Sequence, residues 1–221
     1  MTNCERILPD TAIAIVLAAG FSRRFGPEDK RISQLANGQA LLAASVARAC
    51  EAFEQVFVVL REEDNPAVLG IPESVAVLRA PRALLGLGAS LGDAIAAIRC
   101  DPSMAKVNAA AILLGDMPDI ASSTLKALCR QSAPDYIIRP VFLSSHSMLP
   151  GHPVLFGRDF FNELERLDGD EGGKEIIQRH RDACRQIHVA DPGVCRDIDT
   201  PQALERWRAM DRHKMTGNHD L

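Results

Sequence analysis

The residues best suited to chemistry lie in one loop near the start of the chain. An apolar run of strand length, Ile13–Ala18, continues into Ala19 and Gly20. Three basic residues follow in the same loop: Arg23, Arg24 and Lys30. Small residues at a strand end let backbone amides approach phosphate oxygens closely, and the cations neutralise them. The pattern favours a polyphosphate ligand, although an ordinary strand end with solvated cations is also consistent with these residues alone.

The spacing of this loop excludes two well-known phosphate-binding motifs. The P-loop requires GxxxxGK[ST], but here Pro27 follows Gly26. The dinucleotide fingerprint requires GxGxxG, and the stretch Gly20-Phe21-Ser22 does not supply it. The sequence therefore argues against a nicotinamide oxidoreductase.

Carboxylates stand at two further places where a cation could bind. Asp116 follows the apolar run Ala109–Leu114, and side chains at such strand ends project into the ligand crevice of α/β sheets. Asp197 and Asp199 are two residues apart, so that in an extended segment both point the same way. Mg²⁺ prefers such oxygen ligands and shares them with phosphates. The alternatives are that Asp116 shapes a turn and that Asp199 or Thr200 caps the following helix.

Five sequence elements, in order, resemble those of a known enzyme family. They are LAAGxSxR with a following Gly and Lys at 17–30, GDMP at 115–118, GHPV at 151–154, GDEGGK at 169–174 and DIDTP at 197–201. Together they resemble nucleotidyltransferases with a GT-A-like fold. Within that superfamily they are most similar to the molybdenum cofactor cytidylyl- and guanylyltransferases.

The resemblance implies roles for individual residues. The implied catalytic residues are Lys30, Arg24 and Asp116. The implied nucleotide-binding residues are Leu17, Ala18, Ala19, Gly20, Ser22, Arg24, Lys30, Gly88 and Ser90. The implied acceptor-binding residues are His152, Pro153, Asp170, Gly172, Gly173 and Lys174. The implied metal ligands are Asp116 and Asp199, with Asp197 as the alternative to Asp199. For Ser90, which lies in a glycine-rich turn, an N-cap role is equally consistent with the sequence.

The same resemblance implies a reaction and its participants. A phosphate of molybdopterin attacks the α-phosphorus of a nucleoside triphosphate, and pyrophosphate leaves, with Mg²⁺ as the cofactor. Cations around the reacting phosphates then matter more than a covalent nucleophile. A molybdoenzyme or its maturation factor is the implied protein partner.

The identity of the nucleotide rests on two conflicting features. Ala19 stands where guanylyl-type relatives more often have Gly, and its methyl would crowd a purine, which favours CTP. The three residues between Gly26 and Lys30, together with the pair Asp29-Lys30, are instead typical of the guanylyl type. A GTP-using enzyme, or one acting on another phosphorylated small molecule, therefore remains an alternative. A non-catalytic nucleotide-binding or chaperone-like module is a further one, against which the retained Lys30, Asp116 and Asp199 argue.

Composition narrows the remaining classes. The 221-residue chain has a net charge of −4 and a pI of about 5.9, which disfavours nonspecific nucleic-acid binding. No apolar run approaches the roughly 20 residues of a membrane span. The N-terminus does not resemble a signal peptide. The six cysteines lack zinc-site spacing and favour a reduced, cytoplasmic protein.

Alternating apolar runs and helical patterns predict a three-layer α/β fold, with helices on both faces of a mostly parallel, Rossmann-like sheet. The predicted strands are 13–18, 56–60, 75–78, 109–114, 136–138, 153–156 and 186–189. The predicted helices are 41–52, 91–98, 122–131, 158–167, 174–180 and 202–210. Residues 139–151 are expected to form a loop or a short strand pair. Residues 1–210 are expected to form one nucleotidyltransferase domain, followed by a frayed tail at 211–221.

Overall fold

Buried apolar runs form the centre of one eight-stranded sheet. The computed structural model describes residues 12–145 and 147–216. The strands are β1 (Ala12–Leu17), β2 (Val56–Leu60), β3 (Ala76–Arg79), β4 (Ala109–Leu114), β5 (Ile137–Leu143), β6 (Met148–Pro150), β7 (Val154–Gly157) and β8 (Cys184–Val189). Their order is β3-β2-β1-β4-β7-β5-β6, and β8 also pairs with β5. The predicted α/β class is confirmed.

The sheet has a parallel half and a mixed half. Strands β3, β2, β1 and β4 run parallel, whereas β7 pairs antiparallel with both β4 and β5. Every residue of β1 is buried, as expected for a central parallel strand covered on both faces. The carboxyl ends of β1 and β4 therefore meet at one edge, because their register pairs Leu17 with Leu114.

Helices cover both faces of the sheet. The helices are α1 (Leu41–Cys50), α2 (Leu87–Cys100), α3 (Ser122–Cys129), α4 (Phe161–Leu164), α5 (Lys174–Arg179) and α6 (Pro201–Thr216). Alternate residues of β1 point to opposite faces. Ala14 and Val16 pack with α1 and α3, whereas Ile13 and Ile15 pack with α2, α4 and α5. A third, smaller core joins the start of α6 to the loop that follows β1.

The structure differs from the predicted elements in several places. Helix α2 begins at Leu87, four residues before its predicted start, so Ser90 lies inside the helix and its hydroxyl donates to the Gly86 carbonyl. The N-cap role considered for Ser90 is therefore wrong. The predicted helix 158–167 is a 3-10 turn at Arg158–Phe160 followed by the single turn of α4. Helix α6 extends to Thr216, past its predicted end at residue 210.

Some predictions concern residues that the structure does not describe. The N-terminal segment with Cys4, and residues 217–221 of the predicted tail, lie outside the described ranges. Cys50, Cys100, Cys184 and Cys195 form no disulfide. None of the helices within the described ranges combines the length and the apolar character needed to cross a membrane.

Candidate functional site

The site is built where the loops after β1 and β4 meet. The Gly115 amide donates to the Leu17 carbonyl at 3.0 Å, which joins the two loops. A Cβ at Gly115 would lie 2.8 Å from a methyl of Leu42 and 3.2 Å from Cβ of Ala18. Only glycine therefore lets the β4 loop approach this closely. The next residue, Asp116, therefore lies beside the loop after β1, for which the sequence predicts a polyphosphate ligand.

Lys30 joins two carboxylates that are far apart in the sequence. Its Nζ donates to Oδ2 of Asp116 at 2.5 Å and to Oδ1 of Asp199 at 2.9 Å. The second distance is fixed partly by the backbone, because the Ile198 amide donates to the Asp116 carbonyl at 3.0 Å. Arg24 reaches Asp199 from the solvent side at 2.6 Å. The structure thus gathers Lys30, Arg24, Asp116 and Asp199 into one cluster.

Thr200, not Asp199, caps helix α6. The Thr200 hydroxyl accepts a hydrogen bond from the Ala203 amide at 3.1 Å. The Asp199 carboxylate is left to face Lys30 and Arg24. The capping alternative raised from the sequence therefore applies to Thr200 and leaves Asp199 available to a ligand.

A buried ion-pair network, which the sequence did not predict, holds the loop that carries Lys30. Arg31 is only 5% exposed, and its guanidinium donates to both Asp29 and Asp64 and to the Ala18 carbonyl. Asp29 also accepts from the Arg31 amide and caps the 3-10 turn Lys30–Ile32. Arg31 thus fixes the position of Lys30, its neighbour in the chain. Asp64, the partner of Arg31, follows β2, which pairs with β1. An acidic residue just after a strand next to β1 was the sequence feature that could have indicated this ion pair.

The charges of this cluster perturb one another. Burial lowers the pKa of Lys30, but the facing Asp116 and Asp199 outweigh it and hold that pKa above its usual value. Burial likewise raises the pKa of Asp116 and Asp197. Burial also opposes ionisation of Asp199, yet hydrogen bonds from Lys30 and Asp197 leave its pKa lowered. The three carboxyl groups therefore lie beside Lys30 and Arg24, and Arg23 lines the same cavity.

The donor set fits a divalent cation that is shared with a substrate. Asp116 Oδ1 is buried and has no hydrogen-bond partner, so it is a ready ligand atom. Oxygens of Asp116 and Asp199 already converge on one positive group, the Lys30 ammonium. Within the described ranges, no three Asp, Glu, His or Cys side chains gather as a complete metal site. This pattern matches Mg²⁺ sites, in which one or two carboxylates act together with phosphates.

Three neighbouring cavities surround the cluster. The carboxylate cavity, of about 360 Å³, is lined by Leu17, Ala18, Gly20, Ser22, Arg23, Arg24, Lys30, Arg31, Leu41, Leu87, Leu114, Gly115, Asp116, Asp197 and Asp199. The Ala19 cavity, of about 280 Å³, is lined by Leu17, Ala19, Gly20, Phe21, Arg23, Ala83, Leu84, Gly86, Leu87, Ser90 and Asp170. The His152 cavity, of about 230 Å³, is lined by Leu17, Leu87, Leu91, Ile112, Leu114, Arg139, His152, Val154, Phe156, Glu171, Gly172, Gly173, Lys174 and Ile177.

The cavities divide the predicted site residues. Most of the predicted nucleotide-binding residues line the carboxylate cavity, namely Leu17, Ala18, Gly20, Ser22, Arg24 and Lys30. Ala19 and Ser90, which were predicted with them, line the Ala19 cavity. His152, Gly172, Gly173 and Lys174 lie together in the His152 cavity. Asp170, predicted to belong with them, lines the Ala19 cavity instead. Gly88 and Pro153 line none of the three.

Gly88 has a packing role at the start of α2. Its amide donates to the Gly169 carbonyl at 2.8 Å, which ties the glycine-rich turn to the loop 168–172. A Cβ at Gly88 would lie 2.9 Å from carbonyl oxygens of Asp168 and Gly169. The two glycine-containing motifs that the sequence placed in different pockets are therefore packed against each other.

Gly86→Ala is expected to destabilise the protein by about 1–3 kcal/mol, because the new methyl has no room. It would lie 2.2 Å from Asp170 Oδ1 and 2.6 Å from the Gly169 carbonyl oxygen. The backbone φ of +126° adds strain for any residue other than glycine. Urea unfolding of both proteins would measure the loss. Gly20→Ala is the matched control, since its Cβ would meet nothing within 4 Å; equal losses in the two variants would contradict the steric account.

Comparisons with known proteins show which family and which solved structures the chain is similar to. The family described as "MobA-like NTP transferase domain" matches residues 14–184. The Rv0371c homologue from Mycobacterium sp. strain JC1 is 30% identical, with a TM-score of 0.76, and the match covers 94% of this chain and 100% of that one. Rv0371c from Mycobacterium tuberculosis H37Rv is 28% identical, with a TM-score of 0.76, and the match covers 90% and 97% of the two chains.

A second structure of Rv0371c was solved in complex with manganese. It matches at 26% identity and a TM-score of 0.68, covering 90% of this chain and 97% of that one. No curated protein matches the sequence.

Proposed function

Since the chain belongs to the MobA-like NTP transferase family and has its nucleotidyltransferase fold, we propose that it transfers a nucleotide to a phosphorylated acceptor. The proposed reaction is transfer of CMP from CTP to the phosphate of molybdopterin, with Mg²⁺ as cofactor. The observation that carries the proposal is the position of Lys30 between Asp116 and Asp199 at the joined ends of β1 and β4. This cluster provides cations for phosphate oxygens and carboxylates for a metal ion in one cavity.

The reaction needs little covalent chemistry from the protein. A phosphate oxygen of the acceptor forms a bond to the α-phosphorus, the bond between the α- and β-phosphates breaks, and pyrophosphate leaves. The attacking oxygen is already ionised, so no strong base is required. Catalysis of such transfers rests on positioning and electrostatic stabilisation.

The chain's own residues divide this work. Lys30 and Arg24 neutralise the triphosphate and the leaving pyrophosphate. Backbone amides of the loop after β1 approach the phosphates, because Ala18 and Gly20 line the carboxylate cavity with small side chains. Asp116 and Asp199 hold the metal ion, which would supply further positive charge at the reacting phosphates when bound.

The His152 cavity is suited to the acceptor. Its walls are mostly apolar, with Ile112, Val154 and Phe156 on the sheet side, and it shares Leu114 with the carboxylate cavity. An acceptor bound there lies next to the nucleotide. Apolar walls with a few polar groups are typical of small-molecule sites.

Pyrophosphate release would test the proposal directly. The protein is incubated with molybdopterin or another phosphate monoester as acceptor, with each of CTP, GTP, ATP and UTP, and with either Mg²⁺ or Mn²⁺. Release with CTP and Mg²⁺ is the expected result. Release only with another phosphate monoester would overturn molybdopterin as the acceptor, and dependence on Mn²⁺ alone would overturn Mg²⁺. No release with any nucleotide would favour a non-catalytic binding module.

CTP should be preferred over GTP by roughly tenfold to a hundredfold, for a steric reason. Ala19 is 2% exposed and its methyl forms part of the wall of the Ala19 cavity, where one extra carbon against a close-packed ring typically costs about 1–3 kcal/mol. Initial rates with both nucleotides would measure the preference, and it should shrink in Ala19→Gly. Faster turnover with GTP by the wild type would favour a guanylyltransferase instead.

A further inference from the structure

Arg139 is the most unusual charged residue outside the cluster already described. It lies on β5, on the same face of the sheet as Ile137, and it lines the mostly apolar His152 cavity. The residue is half-buried, and its Nε is buried and has no hydrogen-bond partner. Guanidinium groups withdrawn from water are ordinarily paired, because an unpaired charge in low-dielectric surroundings is costly.

No carboxylate within the described parts of the chain neutralises Arg139. The only acidic residue of the cavity lining, Glu171, interacts with Glu175 and Lys174, and it forms no ion pair with Arg139. Lys174 adds a second cation to the same lining. The cavity therefore has an excess of positive charge, and such an excess favours an anionic ligand.

Nδ1 of His152 is a second buried polar atom without a partner in this cavity. Its Nδ1 is buried and accepts or donates no hydrogen bond. Burial lowers the pKa of His152, and the charge of Arg139 lowers it further. The guanidinium and the imidazole are thus close, and the imidazole stays neutral beside a fixed cation.

We propose that Arg139 is a specificity-determining residue that binds the phosphate group of a phosphate-monoester acceptor in the His152 cavity, with Lys174 as the second cation. That the ligand is a phosphate-monoester acceptor rests on the proposed function. That Arg139 binds a phosphate group rests on the cavity alone and is independent of the proposed function. A guanidinium presents several donors in a planar fork that matches phosphate oxygens. Nothing in the sequence motifs singles out Arg139, because it precedes GHPV by more than ten residues.

The position of the cavity gives this contact a function. The His152 cavity and the carboxylate cavity share Leu17, Leu87 and Leu114, so they adjoin. A phosphate held by Arg139 is then oriented toward the nucleotide, and acceptors without phosphate are bound poorly. Arg139 acts on the acceptor, whereas Lys30 and Arg24 act on the nucleotide.

The test measures phosphate binding without turnover. The nucleotide site is first filled with a CTP analogue that has a methylene bridge between the α- and β-phosphorus, together with Mg²⁺, and inorganic phosphate is then titrated by calorimetry. Arg139→Met should weaken phosphate binding by on the order of 10- to 100-fold, because hydrogen bonds to a charged group are lost. Arg139→Lys, which keeps the charge and loses the fork, should fall between. Arg130→Gln, at an exposed arginine on the other face, should bind as the wild type does.

Thermal unfolding separates ligand binding from a structural role. Methionine removes a half-buried guanidinium whose Nε has no partner, so Arg139→Met should unfold at a temperature no lower than the wild type. Wild-type phosphate affinity in Arg139→Met, a lower unfolding temperature in that variant, or no phosphate binding by the wild type would overturn the proposal. Equal affinity for acetate would overturn phosphate as the ligand. Failure of nucleotide transfer by a protein that still binds the CTP analogue would overturn the proposed function and leave this measurement unaffected.

Discussion

Asp116→Asn should lower the rate of pyrophosphate release by on the order of 100-fold or more while the protein stays folded. The carboxylate lies at the end of β4, where its Oδ2 accepts from Lys30 and its Oδ1 is buried without a partner. An amide keeps the size of the side chain and removes the negative charge, so both the metal ligand and the partner of Lys30 are weakened. Steady-state kinetics with saturating metal ion would measure the loss.

The same variant distinguishes the role of Asp116 in chemistry from a role in the turn. Asparagine forms turns about as readily as aspartate, so a purely structural Asp116 would be replaced without loss. Asp135→Asn, which changes an exposed carboxylate away from all three cavities, is the matched control. Near-normal turnover by folded Asp116→Asn would refute metal ligation by this residue.

Lys30→Ala should reduce kcat/KM for the nucleotide by about 100-fold, whereas Lys174→Ala should act mainly on the acceptor. The side chain of Lys30 is 12% exposed, and its ammonium is held by two carboxylates. Its loss leaves Asp116 and Asp199 facing each other, so Lys30→Ala should also destabilise the protein by roughly 1–3 kcal/mol. Varying each substrate separately would assign the two kinetic effects.

A divalent cation should restore part of the stability lost in Lys30→Ala. The two carboxylates then lack their ammonium partner, and Mg²⁺ supplies positive charge between them. The rise in unfolding temperature on adding Mg²⁺ should therefore be larger in this variant than in the wild type. If Lys30→Ala altered neither kinetics nor stability, while Lys174→Ala changed only nucleotide affinity, the assignment of the two cavities would be reversed.

The parts of the site that follow from local sequence were predictable. A buried strand followed by small residues indicates a loop that a ligand can approach, and this holds for the loop after β1. Lys30 and Asp116 were predicted because each belongs to a motif with a recognisable neighbourhood. Asp199 was chosen over Asp197 by resemblance alone. In the structure Thr200 performs the capping and Asp199 faces Lys30, but Asp197 lines the same cavity, so the choice of Asp199 as metal ligand stays a prediction.

The parts that depend on tertiary contacts were not predictable. From the sequence, Arg31 is indistinguishable from an exposed basic residue. Its ion pair with Asp64, which lies thirty-three positions away, forms only in the folded protein. Arg139 lies in a strand whose full extent, Ile137–Leu143, exceeds the predicted 136–138. Asp170 was grouped with its sequence neighbours, but it lines the Ala19 cavity, whereas the next residue, Glu171, already lines the His152 cavity.

Leu17 and Leu87 line all three cavities. Leu87 is the first residue of α2, next to the glycines that pack on the loop 168–172, so a ligand that displaced it would change the shape of each cavity at once. If the proposed nucleotide and acceptor displace Leu87 on binding, their binding free energies are not independent. Thermodynamic linkage makes such coupling reciprocal: if a bound nucleotide changes the affinity for the acceptor by some factor, a bound acceptor changes the affinity for the nucleotide by the same factor.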